Sequence, residues 1–98
     1  MVKHIVMFKL NGDSETRRRI AGEFAAALME LPEKIECLRS MEVGLNANPA
    51  EDWDVVLTAI VDTLPQVEEY AKHPAHVAAA AIVGPHKAAR ACVDYIID

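Results

Sequence analysis

The chain has 98 residues, 52% of them hydrophobic and 26% charged, with a formal net charge of −5. That length and balance describe one soluble globular domain, residues 1–98, and the acidic charge excludes a nucleic-acid surface. No apolar run reaches the ~18–20 residues that cross a bilayer, the opening reads as a strand with no secretory leader, and Cys37 and Cys92 are too few for a disulfide framework. The expectation is a cytoplasmic protein without a membrane partner, its two thiols reduced and packed as small apolar residues.

Residues 2–10 alternate in the manner of a strand: Val2, His4, Val6, Phe8 and Leu10 share one face, and Ile5 and Met7 lie on the other between Lys3 and Lys9. Both faces are largely apolar, so the strand is expected to be covered on both sides. His4 points with the apolar set, either as a satisfied core histidine or as a polar group in a cavity. Asn11-Gly-Asp-Ser is a turn that Asp13 or Ser14 converts into a helix cap. Ile20, Phe24, Ala27, Leu28 and Leu31 recur at helical spacing as the buried stripe, and Pro32 is expected to end the helix. Arg17, Arg18 and Arg19 fan around this helix and read as a solvated face.

A second strand is expected over 38–45, with Met41, Val43 and Leu45 on its apolar face, and a third over 53–61, apolar on both sides. Thr63 is the expected cap of a short helix with Pro65 in its first turn. Residues 75–83 form an alanine-rich helix, Gly84-Pro85 punctuates, and a last strand runs over 91–97. The order strand, helix, strand, strand, helix, strand is the α+β, ferredoxin-like βαββαβ pattern: a four-stranded antiparallel sheet with helices on one face. Because strands 1 and 3 are apolar on both faces, the face without helices needs a partner, and a second copy packed sheet to sheet supplies one. A homodimer follows.

The segment with the most chemistry is Tyr70-Ala-Lys-His-Pro-Ala-His76, a phenol and two imidazoles within seven residues of a chain holding two tyrosines and four histidines. Pro74 disfavours helix at His73 and suits the first turn of a new helix, so the segment is a corner between two helices. His76 is a candidate general base acting on a carbon next to a carbonyl, and Tyr70 a candidate donor to the enolate or alkoxide that forms. The bland alternative makes His76 a helix-start residue bonded to backbone and Tyr70 a core aromatic. His73 reads as structural, bonded to backbone at the corner. His73 and His76 have metal-pair spacing but no acidic or cysteine neighbour in sequence, so no metal is expected; without a glycine-rich phosphate loop, no cofactor is expected either.

These segments resemble a known family. The opening Lys3-His-Ile-Val-Met-Phe-Lys9, the stretch from Leu31-Pro32 to Gly44, Trp53-Asp-Val-Val-Leu57, Tyr70 to His76 and Val93-Asp-Tyr95 are similar, over nearly the whole chain, to the stress-responsive A/B barrel (Dabb) family of dimeric α/β barrels. The resemblance implies ferredoxin-like protomers whose sheets close into a barrel across a two-fold axis. It also implies polyketide cyclase-like chemistry: the family's plant cyclase performs an aldol condensation with a tyrosine and a histidine matching Tyr70 and His76, and a cavity histidine matches His4. Two further cavity positions of that cyclase, at about Val55 and near Ala25 or Ala26, are apolar here.

Together these readings give a homodimeric barrel with an apolar cavity for a small apolar or aromatic ligand. His76 and Tyr70 are the candidate catalytic residues, and His4, Val6, Phe8, Phe24 and Leu28 the candidate substrate-binding residues, the apolar four lining a pocket only if the barrel is hollow. The reaction class is cofactor-free proton transfer in a cyclisation, isomerisation or lyase-type reaction. The alternative is a non-catalytic, stress-induced structural or protective dimer whose barrel is filled with side chains.

Overall fold

The period-two pattern of the opening residues becomes β1 (Val2–Leu10) in the computed structural model, with burial alternating at every residue. It is followed by α1 (Ser14–Met29), α2 (Leu31–Lys34), β2 (Ser40–Leu45), β3 (Val55–Val61), α3 (Pro65–Lys72), α4 (Pro74–Val83), a single 3-10 turn over 84–86 and β4 (Lys87–Ile96). The sheet order is β2-β3-β1-β4 and every pairing is antiparallel, so β1 and β3 are central and β2 and β4 are edges. This is the ferredoxin-like topology expected from the order of elements.

Register divides the sheet into two chemically different faces. His4, Val6 and Phe8 stand opposite Ala59, Leu57 and Val55, and these residues turn towards the helices. Phe24 and Leu28 of α1 pack onto them with 1% and 0% exposure, and Phe8 meets Phe24 edge to face with ring centroids 5.5 Å apart. The opposite face carries Ile5, Met7, Val56 and Ile60, half-buried, and Val93 and Tyr95 of β4, which are 61% and 42% exposed. The helices pack on the other side: α4 contacts α1 and α3, and α1 and Tyr70 of α3 join the core formed by the buried residues of the sheet.

The cap of α1 is one of the two expected, and several other boundaries differ from the expectation for local reasons. Asp13 caps α1 through its carboxylate, which accepts from the Thr16 amide at 2.8 Å. That helix ends at Met29 with Glu30 as its C-cap, ahead of Pro32, which sits in the first turn of α2, where a missing N–H costs nothing. Thr63 does not cap α3; the Gln66 side chain accepts from the Asp62 and Thr63 amides instead, at 2.9 and 3.1 Å. Trp53 precedes β3 rather than starting it, and Lys9 lies over its ring at 5.3 Å. β4 begins four residues earlier than expected, because Lys87–Arg90 lack an apolar alternation and are held by pairing to β1 alone.

The arginine run is not wholly a solvated face. Arg17 donates to Asp54 at 3.2 Å and to the Gly12 carbonyl at 2.6 Å, and the other Asp54 oxygen accepts the Leu10 amide at 2.7 Å. Asp54 thus ties the end of β1 to the start of α1. Arg19 pairs along the helix with Glu23, and Arg18 is exposed, as expected.

Candidate functional site

Between the helix-facing side of the sheet and helices α3 and α4 lies a half-open cavity of about 590 Å³. Its apolar wall is Val6, Phe8, Phe24 and Leu57, with Val67 and Val83 from the helices. Its polar groups are His4 from β1, His76 from α4, Glu68 from α3, and Lys87, Arg90, Cys92 and Asp94 from β4. Of the candidate binding residues, His4, Val6, Phe8 and Phe24 therefore share one space. Leu28 does not reach it: the residue lies one turn beyond Phe24 on α1, fully buried in the core.

The corner places the two candidate catalytic residues. α3 ends at Lys72; His73 adopts an extended conformation and caps α4, its Nδ1 accepting from the Ala75 amide at 3.0 Å. Pro74 occupies the first position of α4. This turn folds His76 back over Tyr70, with ring centroids 4.5 Å apart and planes at 57°. On the other side of Tyr70 lies His4, at 5.9 Å and nearly perpendicular. Tyr70 is 1% exposed and stands behind the two histidines, which form the cavity wall. Its hydroxyl is buried with no hydrogen-bond partner in the protein, and burial pushes its pKa far above the ordinary phenol value, so the proton stays on the oxygen.

His76 is oriented by its backbone. Nδ1 lies 2.9 Å from the Ala71 carbonyl, an oxygen that only accepts, so Nδ1 carries the proton and Nε2 holds the lone pair. Desolvation lowers the His76 pKa below 6.5, the Ala71 bond opposes this, and His4 and Arg90 add smaller lowering effects. The result is a neutral imidazole at neutral pH with one basic nitrogen.

Strand β4 supplies residues that the sequence reading missed. Asp94 faces His4 across the β1–β4 register, with its Oδ1 2.5 Å from His4 Nδ1. Cys92, two residues away on the same face, places Sγ 3.5 Å from the same nitrogen and 3.7 Å from Asp94 Oδ1. The available signal was the period of two that puts Arg90, Cys92 and Asp94 on one side of a strand, once its partner was known to be β1. The two cysteines are therefore unlike: Cys37 is buried as expected of a small apolar residue, whereas Cys92 is exposed beside ionisable groups.

A ferredoxin-like α+β protomer, with a mixed polar and apolar cavity under two helices joined at a histidine–proline corner, defines the class. The chain belongs to the stress responsive A/B barrel domain family, which it matches over residues 2–97. It is 33% identical over 85 residues to an uncharacterised protein of Streptomyces coelicolor, covering 84% of this chain and 86% of that one. Among solved structures it is similar to a dimeric ferredoxin-like protein of unknown function from Bacteroides fragilis, at 46% identity and TM-score 0.94, covering 98% and 95% of the two chains. The hydroxynitrile lyase of Passiflora edulis shares the fold at 16% identity and TM-score 0.77, covering 99% and 93%.

Proposed function

We propose that the protein is a cytoplasmic homodimer that binds a small carbonyl-bearing organic molecule in the cavity of each protomer and moves a proton on it. His76 Nε2 takes a proton from the carbon next to the carbonyl. The Tyr70 hydroxyl lies behind the two histidine rings and does not line the cavity, so it donates to the oxygen on which charge develops only once a shift of His76 opens a path to it. His4 orients the occupant from the sheet side, and Val6, Phe8 and Phe24 hold its apolar part. Cyclisation, isomerisation and lyase-type cleavage all use such a step.

The observation that carries this reading is the buried Tyr70 hydroxyl without a protein partner, packed against an imidazole whose tautomer leaves a basic nitrogen. A desolvated hydroxyl costs ~1–3 kcal/mol when unpaired, a cost that an oxygen-bearing occupant would remove on reaching past the His76 ring. A cavity of this size favours binding over a purely structural role, and it lies under the helices, on the side of the sheet away from the face that would close a barrel. The homodimer is supported by the apolar face opposite the helices and by the dimeric state of the Bacteroides fragilis relative.

Acetophenone in deuterated buffer is a direct probe, because its methyl protons exchange through the same enolate. The protein is expected to accelerate their loss from the proton NMR spectrum, and His76→Ala to return the rate to that of buffer while the fold persists. Equal exchange with His76→Ala and wild-type protein would remove His76 from the mechanism.

A further inference from the structure

We propose that His4, Cys92 and Asp94 form a binding site for a thiophilic divalent cation, of the zinc or cobalt class, at the β4 side of the cavity. Three different donor atoms converge there from two paired strands, and all lie within 4.8 Å of one another. The antiparallel register sets this up: Asp94 is directly opposite His4, and Cys92 is opposite Val6 on the same face. Without an ion the three groups are joined by hydrogen bonds: His4 Nδ1 and Asp94 Oδ1 share one proton and the Cys92 thiol donates to Asp94 Oδ1 at 3.7 Å, so the atoms that a cation would bind already face one another.

The spacing suits a tetrahedral ion. Bonds of about 2.3 Å to sulfur and about 2.0 Å to nitrogen and oxygen put sulfur about 3.5 Å from each of the other two donors, and nitrogen about 3.3 Å from oxygen. The sulfur distances are already 3.5 and 3.7 Å. Only the nitrogen–oxygen pair, now 2.5 Å apart, has to widen, and the Asp94 side chain is 28% exposed and has room to turn. A thiolate and a carboxylate together balance a doubly charged ion. Arg90, on the same face of β4, opposes it with one positive charge.

Thiolate and imidazole donors select zinc, cobalt or copper over magnesium and calcium. Three protein ligands leave the fourth position of a tetrahedron towards the cavity, the arrangement of sites that bind a water or substrate oxygen rather than of closed structural ones. No local spacing announces this set, since His4 and Asp94 are 90 residues apart.

The test is titration of the chelator-treated full chain with Co²⁺. One equivalent per chain is expected to produce the near-ultraviolet thiolate-to-cobalt charge-transfer band. Cys92→Ser should abolish it, Cys37→Ser should leave it intact, and Asp94→Asn should weaken cobalt binding more than about 10-fold. Independently of any variant, Zn²⁺ added to the wild-type protein is expected to shield Cys92 from alkylation by iodoacetamide, read by peptide mass spectrometry. A missing charge-transfer band, a band that survives Cys92→Ser, or Cys92 labelling unaffected by Zn²⁺ would each overturn the proposal.

Discussion

Tyr70 and His76, six residues apart in sequence, lie ring against ring at 4.5 Å because the chain turns at His73 and Pro74 between them. The hydroxyl that Tyr70 brings to this contact has no protein partner. Tyr70→Phe therefore separates stability from function. Removing an unpaired buried hydroxyl is expected to raise stability by about 1 kcal/mol, read as a higher urea midpoint, while exchange of acetophenone protons falls. A loss of stability on this substitution would show that the hydroxyl is satisfied in the folded protein.

The pH response of His76 follows from its burial. In the unfolded chain this imidazole titrates near the ordinary value of 6.5; in the folded protein desolvation holds its pKa lower. Between the two values the unfolded state binds more protons, so stability rises with pH across that window. The contribution is fully present above the ordinary value and is lost as pH falls through the folded one. NMR titration of the His76 ring protons is expected to give a midpoint below 6.5, and proton-transfer activity should fall with acid through the same midpoint. A midpoint at or above the ordinary value would contradict the tautomer and burial described here.

His73 acts on the site through geometry. Its Nδ1 holds the first turn of α4, from which His76 projects. His73→Ala is expected to cost about 1 kcal/mol, as loss of a cap does, and His73→Asn to recover most of it, since asparagine caps well. Urea denaturation of the two variants checks this; equal loss in both would mean that the cap is not what His73 contributes.

Much of this arrangement is legible in the sequence because it is periodic or local. Alternation revealed β1 and the direction of His4, and the His-Pro pair revealed the corner. Leu28 was misplaced because helical spacing marks a buried stripe without saying which part of it meets a cavity. Asp94 and Cys92 stayed hidden because their meaning depends on pairing with β1, a contact about 90 residues distant that no local pattern encodes. The arginine run misled for a similar reason, its partner Asp54 being 37 residues away.

Asp54 gives a prediction of its own. It accepts the Leu10 amide and pairs with half-buried Arg17. Asp54→Ala leaves that amide without its acceptor and is expected to cost about 1–3 kcal/mol. Arg17→Ala removes a half-exposed ion pair and a bond to the solvent-exposed Gly12 carbonyl, leaves the Leu10 amide bonded, and should cost about 1 kcal/mol or less. Chemical denaturation of both variants distinguishes them, and an equal or reversed order would show that the ion pair, not the amide bond, dominates.

The open sheet face sets the last prediction. Val93 stands exposed opposite Ile5, and Tyr95 opposite Lys3, and an apolar surface such as that around Val93 is stable in water when another surface covers it. If the covering surface is a second copy related by a two-fold axis, each Val93 enters the covered face. Val93→Glu then places two desolvated carboxylates in that interface without touching the helix-facing core, and a buried unpaired charge costs more than such an interface regains. Sedimentation velocity is expected to show a dimer for the wild-type protein at micromolar concentration and a folded or partly folded monomer for Val93→Glu. A wild-type monomer under those conditions, or a Val93→Glu dimer of unchanged strength, would place the contact elsewhere.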